Sequence, residues 1–350
     1  MPAPFDGQTF HNLPRRPLRG LGSVLRWKSS SRPAPWPSWV EDPVAPPLPP
    51  CGPGQMVVTF INHATLLIQT SEGNVLTDPV FSRRVSPVSW AGPARVRRPG
   101  LALEALPPIH GVLLSHNHYD HLDLPSLREL RRRWNPWVVT PLGVGRHLRP
   151  LGLDRVHELD WWETAQGVTC TPAQHFSGRG LFDRNRTLWG GLVLRGGGHT
   201  LYFAGDTGYG PFFTEIRERL GAPDLALLPI GAYDPRWFMA AVHMDPAEAV
   251  QAHLDLGARR SLGIHWGTWQ LTDEPLEEPP RLLAETLAAR GLDPEAFQVL
   301  AHGGSLVLGE APPQAPAGPG QQGQGQGATG ETAKLTLAAA PGQGDADLAG

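Results

Sequence analysis

Apolar positions come in short runs that begin at Met56. Met56–Ile61, Thr65–Gln69 and Val75–Leu76 follow one another closely, broken by Asn62-His63-Ala64 and by Thr70 to Asn74. Runs of this length, rich in β-branched residues and bounded by turn formers, predict strands. The same signal recurs at Gly111–Leu114, Trp137–Thr140, Val168–Thr171, Leu188–Leu194, Thr200–Ala204, Leu225–Pro229 and Ser261–Ile264. A period near 3.6 replaces it at Leu124–Arg133, Pro211–Leu220, Pro246–Leu256 and Pro280–Arg290, which predicts helices. Asp245-Pro246 is a strong helix start, a capping carboxylate followed by a residue whose φ is preset. Strands first in hairpins and then interleaved with helices imply a layered, mixed α/β architecture.

The pattern fails at both ends. Residues 1–54 read as an irregular, Pro-rich basic arm. Arg15, Arg16, Arg19, Arg26, Lys28 and Arg32 face only Asp6 within its first 40 positions, with Trp27, Trp36 and Trp39 interleaved. Two readings stand for it: contact with an anionic membrane surface, or a solvated arm whose tryptophans pack on the domain. Residues 309–350 run through Gly323 to Gly327 as Gly-Gln-Gly-Gln-Gly and hold no aromatic side chain. Such a tail buries too little surface to offset its chain entropy and is expected to be disordered. The folded unit is placed at 55–308, with no internal repeat.

Composition removes several chemistries. Only Lys28 and Lys334 are lysines among 30 basic residues, so neither a phosphate-binding G-x-x-x-x-G-K loop nor a Schiff-base lysine has a place. No G-x-S-x-G elbow occurs. A net charge of −3 lacks the basic excess of a nucleic-acid binder. Two cysteines, Cys51 and Cys170, make neither a disulfide scaffold nor a C-x-x-C site. No window resembles a membrane span, and the N-terminal order is not that of a signal peptide. The expectation is a soluble, cytoplasmic protein with peripheral contact at the inner membrane face.

The 14 histidines are where chemistry concentrates. Ser115-His116-Asn117-His118-Tyr119-Asp120-His121 follows directly on the strand Gly111–Leu114. Imidazole and carboxylate are suitable ligands for zinc. In a loop, positions 116 and 118 turn toward one point while 120 and 121 turn toward a second, which offers half of each of two metal sites. His175, Asp206 and His265 each stand just after another apolar strand, where loops converge at one sheet edge. Singly, each reads as readily as a core histidine or a turn aspartate; jointly they complete a set.

With this run and these later ligands, the chain resembles the metallo-β-lactamase superfamily. Within it, residues 58–303 resemble the N-acyl-phosphatidylethanolamine-hydrolysing phospholipase D group. That narrower likeness rests on Asn62-His63-Ala64-Thr65, Leu76-Thr77-Asp78-Pro79, Glu158 to Trp162, Leu188-Trp189-Gly190 and Phe203 to Tyr209. It rests further on Pro229-Ile230-Gly231-Ala232-Tyr233 with Pro235-Arg236, and on Ile264 to Thr268. Asn62 stands where the group commonly has Gly.

The resemblance implies an αβ/βα sandwich of two mixed sheets flanked by helices, with two Zn2+ per chain. One is implied on His116, His118 and His175. The other is implied on Asp120, His121 and His265, with Asp206 bridging. A hydroxide between the metals would attack phosphorus, so no protein nucleophile is needed. The implied reaction is hydrolysis of N-acyl-phosphatidylethanolamine to N-acylethanolamine and phosphatidic acid. Asp120 and His243 are the catalytic candidates; His243 would orient phosphate or protonate the leaving group, or else cap the helix entry locally. Asp78 is read as orienting ligands, and His63 as structural. Tyr233, Arg236, Trp161, Trp162 and Gln174 are pocket candidates, with plain core packing as the alternative. A homodimer is implied by the resemblance alone. The rival readings are a lactonase or phosphodiesterase acting on a soluble sugar phosphate or other small molecule, and a metal-binding scaffold without turnover. No nucleic-acid partner is expected.

Overall fold

The computed structural model describes residues 1–14 and 20–309. The expected tail, and Arg15, Arg16 and Arg19 of the arm, lie outside the described residues.

Fourteen strands of the described residues form two seven-stranded sheets. The first takes β1 (Met56–Asn62), β2 (Thr65–Thr70), β3 (Gly73–Thr77), β4 (Gly111–Leu113), β5 (Trp137–Pro141) and β6 (Val156–Leu159) from the N-terminal half. The second takes β7 (Thr164–Ala165), β8 (Val168–Thr171), β9 (Gly191–Gly196), β10 (His199–Phe203), β11 (Leu225–Pro229), β12 (Arg260–Ile264) and β13 (Phe297–Gln298). β14 (Ser305–Leu308) returns to pair antiparallel with β1, so the first sheet runs β14-β1-β2-β3-β4-β5-β6. The second runs β13-β12-β11-β10-β9-β8-β7. Each sheet is antiparallel on one side and parallel on the other, the switch falling at β3–β4 and at β10–β11. The helices are α1 (Leu21–Ser30), α2 (Leu124–Trp134), α3 (Gly145–Leu148), α4 (Phe212–Leu220), α5 (Arg236–Met239), α6 (Pro246–Leu256) and α7 (Glu278–Ala289). This is an αβ/βα sandwich of two mixed sheets flanked by helices.

The two sheet faces explain why the strands read as continuous apolar runs. In β2, Leu66 and Ile68 point into the core between the sheets with Phe60, Tyr202, Phe203 and Leu227. Leu67 points the other way, toward Leu76, Val112, Leu127 and Leu130 under α2. A strand covered on both faces has no position left for water, so the alternation disappears. Helix α6 begins where Asp245-Pro246 placed it. The Asp245 carboxylate accepts from Glu248 N at 2.8 Å, Asp245 N donates back to Glu248, and Gly257 closes the helix with φ 60°.

Two expectations need correction. The run Leu188–Leu194 is strand only from Gly191; Leu188 and Trp189 are core residues ahead of it. The N-terminal residues are not irregular throughout. Residues 21–30 form α1, and Ala3 and Phe10 are buried in the inter-sheet core. Two apolar anchors and a run of backbone hydrogen bonds hold a segment that composition alone read as loose.

Candidate metal centre

The strands that deliver site residues, β4 from the first sheet and β8, β10 and β12 from the second, end at the same edge of the sandwich. The β4 strand leads into His116 to His121, β8 into His175, β10 into Asp206 and β12 into His265. The parallel strands run in one direction, so their C-terminal loops collect there. His63, Asp78 and His265 have φ of 46°, 30° and 62°, left-handed values that non-glycine residues seldom take. Strained backbone of this kind concentrates at functional sites, where surrounding contacts over-determine it.

The side chains meet in two clusters. In the first, His118 Nδ1 lies 2.8 Å from His116 Nε2 and 3.2 Å from His175 Nε2. In the second, Asp120 Oδ2 lies 3.5 Å from His121 Nε2 and 3.4 Å from His265 Nε2. Asp206 faces both. Its Oδ1 is 3.0 Å from His265 Nε2, and its Oδ2 is 3.2 Å from His121 Nε2 and 3.7 Å from His175 Nε2. These seven are the ligand candidates of the sequence, brought within reach of one another from four loops.

The orientation of three imidazoles is fixed from behind. The Asp78 carboxylate is fully buried; it accepts from Ser115 N at 2.8 Å, from Ser115 Oγ at 2.6 Å and from His121 Nδ1 at 2.6 Å. Having given its proton to Asp78, the Ser115 hydroxyl is an acceptor for His116 Nδ1 at 2.9 Å. His175 Nδ1 donates to the Val242 carbonyl at 2.9 Å. Each of these rings therefore carries its proton on Nδ1 and turns a bare Nε2 inward.

Electrostatics of the set suit cations. Burial works against charge on His116, His118 and His175, and neighbouring histidines add to it for His116 and His118. His116 falls well below the ordinary range, His118 to about 3 and His175 to about 4. Burial alone would also neutralise Asp120 and Asp206, yet the facing imidazoles outweigh it and hold both carboxylates well below their usual values. For His265 the carboxylates overcome burial in turn and raise it to about 9.

Two divalent ions fit these residues. His121 Nε2, His265 Nε2 and Asp206 Oδ1 are buried without a hydrogen-bond partner, and three imidazole nitrogens converge in the first cluster. The separations of 3.0–3.5 Å in the second cluster compare with about 3.3 Å between ligand atoms on a tetrahedron of zinc-like radius. The carboxylates draw positive charge onto His121 and His265, and a divalent ion on the same atoms would supply that charge in place of the protons.

Comparison with known proteins agrees with the geometry. The family model described as a Beta-lactamase superfamily domain matches residues 73–266. The chain belongs to the metallo-β-lactamase superfamily. The isothiocyanate hydrolase from Delia radicum gut bacteria shares the superfamily fold at a TM-score of 0.57 and 20% identity, over 72% of this chain and 98% of that one. An uncharacterized protein of Mycobacterium tuberculosis is 44% identical over 80% of this chain and 76% of its own length. N-acyl-phosphatidylethanolamine-hydrolyzing phospholipase D 1 of Caenorhabditis elegans is 42% identical over 67% of this chain and 70% of its own. The family and the clustered His and Asp side chains together mark a metal-dependent hydrolase site.

A cavity of about 520 Å³ opens over the clusters. His118, Asp120, Asp206 and His243 line its polar floor, and Trp27, Phe176, Phe238 and Met239 its apolar walls. His243 is at the site: its Nδ1 lies 4.0 Å from Asp206 Oδ2 and has no hydrogen-bond partner. Burial, aided by His175 and His265, keeps it well below the ordinary histidine range.

Other pocket candidates sit elsewhere. Arg236 does not face the cavity; it pairs with Glu248 at 2.6 Å and Asp245 at 3.3 Å and donates to the His243 carbonyl at 2.9 Å. Opposite charge nine and twelve residues away claims the guanidinium first. The Tyr233 hydroxyl donates to Glu278 at 2.7 Å, and Gln174 Nε2 donates to Ala241 O at 3.1 Å. Trp161 is core, donating to Trp189 O, and Trp162 carries Arg219 over its ring.

Three residues that the sequence did not single out for these positions support the site. His63, read as structural, is within 3.1 Å of Asp120 Oδ2 and packs against His265 with ring centroids 3.9 Å apart. Arg179 Nη1 donates to Asn117 O and Leu122 O, both at 2.8 Å, with its guanidinium 3.9 Å over the Tyr119 ring. It ties down the loop that carries four ligand candidates. Trp27 comes from α1 and stacks on Phe238 at 5.0 Å. Only His63 had a local signal, its place in Asn62-His63-Ala64-Thr65; the other two meet the site through tertiary contacts alone.

Proposed function

We propose that this hydrolase is a dinuclear zinc phosphodiesterase of the phospholipase D type, cleaving N-acyl-phosphatidylethanolamine to N-acylethanolamine and phosphatidic acid. The observation that carries the reading is a two-cluster ligand set, with Asp206 between the clusters, on the floor of a deep, largely apolar-walled cavity. The relative of that name in Caenorhabditis elegans supports the substrate class.

Two cations held by His116, His118 and His175, and by Asp120, His121 and His265, with Asp206 shared, would supply Lewis-acid stabilisation of phosphoryl oxygens and an acidified water. Asp120, held among His63, His121 and His265, lines the cavity floor and is the catalytic carboxylate of this reading. His243 borders the cavity with an uncommitted Nδ1 and is suited to hold the phosphate or to pass a proton to the departing ethanolamide oxygen. Trp27, Phe176 and Phe238 exclude water from the apolar side and leave room for acyl chain.

Peripheral membrane contact belongs to the same proposal, carried by different residues from those the composition suggested. Leu181 and Phe182 are 92% and 85% exposed between the cavity-lining Gly180 and Arg184, and Leu25 is exposed on α1 beside Trp27. Large apolar side chains flanked by arginine at a cavity mouth suit an anionic lipid surface. A Leu181→Ser, Phe182→Ser double variant is expected to sediment less with anionic vesicles and to show a raised KM on vesicle substrate, at unchanged turnover of a water-soluble diester.

The deciding experiment is hydrolysis of N-acyl-phosphatidylethanolamine by the purified protein, read by mass spectrometry, with the Asp120→Asn, His121→Ala double variant as control. Both products, formed only by the intact site, are expected. Two zincs per chain without lipid turnover would overturn the substrate and redirect the search to soluble sugar phosphates and lactones. Absence of any turnover would favour a metal-binding scaffold.

A further inference from the structure

The residue that completes the surroundings of His175 comes from the N-terminal segment. Beyond β8 the chain leaves the sheet, so the backbone at Gln174 and His175 has lost its strand neighbours. On one side Gln174 is served by Thr207 and Gly208: its N–H donates to Thr207 Oγ1 at 2.8 Å, and its carbonyl accepts from Gly208 N at 2.8 Å. On the other side, one side chain 163 residues away serves His175. Asn12 Nδ2 donates to His175 O at 2.8 Å, and Asn12 Oδ1 accepts from His175 N at 3.0 Å. The same oxygen accepts from Trp189 Nε1 at 3.1 Å.

Asn12 is 4% exposed. Its carboxamide offers the donor and acceptor of a peptide group, so it stands in for the missing strand. Residues 3–11 hold it there. Phe5 bridges Phe10, Asp6 accepts from the backbone of Gln8 and Thr9, Ala3 N donates to Asp160, and Phe10 N donates to Asn185 O at 2.8 Å.

We propose that Asn12 is a positioning residue for the first metal cluster, fixing the His175 backbone so that its imidazole meets His116 and His118, and that the N-terminal segment is thereby part of the metal centre. The inference rests on the reading of His116, His118 and His175 as a metal site. Among the described residues the His175 ring makes one hydrogen bond outside the cluster, to the Val242 carbonyl, so loosening the backbone lets Nε2 shift away from the other two nitrogens. Loss of a group that orients a ligand typically weakens metal binding 10- to 100-fold. The second cluster, Asp120, His121 and His265, has no contact with Asn12 and is expected to be unaffected.

The test is cobalt(II) titration of the full-length, metal-stripped protein, followed by visible absorption against a competing chelator. A His118→Ala variant identifies which step belongs to the first cluster. Asn12→Ala is expected to weaken that step about 10-fold and leave the other unchanged. Asn12→Asp, nearly the same shape, is the sharper variant. It keeps an acceptor for His175 N but sets an oxygen against the His175 carbonyl, so it should weaken the first step at least as much. Leu287→Ala, in the packed face of α7, controls for lost stability and should move neither step. Wild-type affinity in Asn12→Asp would overturn the proposal, because a residue that merely fills space tolerates that change. Equal weakening of both steps, matched by Leu287→Ala, would overturn it as well. Fewer than two cobalt ions on the wild-type protein would instead refute the two-metal reading beneath it.

Discussion

Asp78→Asn is the most informative single change, because one atom separates the two side chains. Asp78 accepts three hydrogen bonds, from Ser115 N, Ser115 Oγ and His121 Nδ1. Burial pushes its carboxyl up, while the bonds from His121 and Ser115 act against that and favour the anion. An asparagine has one oxygen to offer. If that oxygen keeps Ser115 N, the NH2 group meets the Ser115 hydroxyl and His121 Nδ1. Ser115 must then turn its proton toward His116, and His121 must release the proton on Nδ1. In both rings the remaining proton moves to Nε2, which blocks the ligand atom. The reverse flip sets NH2 against the Ser115 N–H.

His116 belongs to one cluster and His121 to the other, so both sites should lose affinity. At 10- to 100-fold for each, the cost is about 1.4–2.7 kcal/mol per metal. Ser115→Ala removes the link to His116 and one bond to Asp78 but leaves His121 Nδ1 on that carboxylate, so it should weaken one site alone. Zinc titration against a chromophoric chelator, with elemental analysis after gel filtration, reads both variants. Two zincs bound at wild-type affinity by Asp78→Asn would refute the tautomer argument, and so would a Ser115→Ala variant that weakens both sites equally.

Arg179→Met should destabilise the protein by about 2–4 kcal/mol, since it strands the Asn117 and Leu122 carbonyls that its half-buried guanidinium serves. Arg179→Lys should recover part of this in urea unfolding, because a single nitrogen makes both bonds. His302 is held down to about 3 by burial first and then by Arg97. As pH falls below 6.5 the unfolded chain takes up a proton that the folded one refuses, so this contribution is full at neutral pH and is lost toward pH 3. Between pH 6 and 4 the stability advantage over a His302→Gln variant should shrink by up to about 1.4 kcal/mol per pH unit, measured by denaturant unfolding. A constant difference would show that His302 does not stay neutral.

Much of this molecule is legible before folding. The strand runs, the capped start of α6 and the His116 to His121 loop all depend on neighbours within a few residues, where periodicity and side-chain chemistry speak directly. His175, Asp206 and His265 were recognisable because each follows an apolar strand, and parallel strands bring their C-terminal ends to one edge. Those regularities are local, so the chain itself determined the layered α/β class and the seven ligand candidates.

What remained was settled by contacts between distant residues. Arg236 has the chemistry to hold a phosphate, but Asp245 and Glu248 reach it first in the folded chain. His63 carries the same imidazole as any core histidine, and only the meeting of the loops after β1, β4 and β12 sets it on Asp120 and His265. Asn12 lies in a Pro-rich stretch with no periodicity at all, and its meaning depends on His175, 163 positions away. Composition and period report what a residue prefers locally. Which donor meets which acceptor across the sandwich is decided when two sheets close and buried polar groups must find partners.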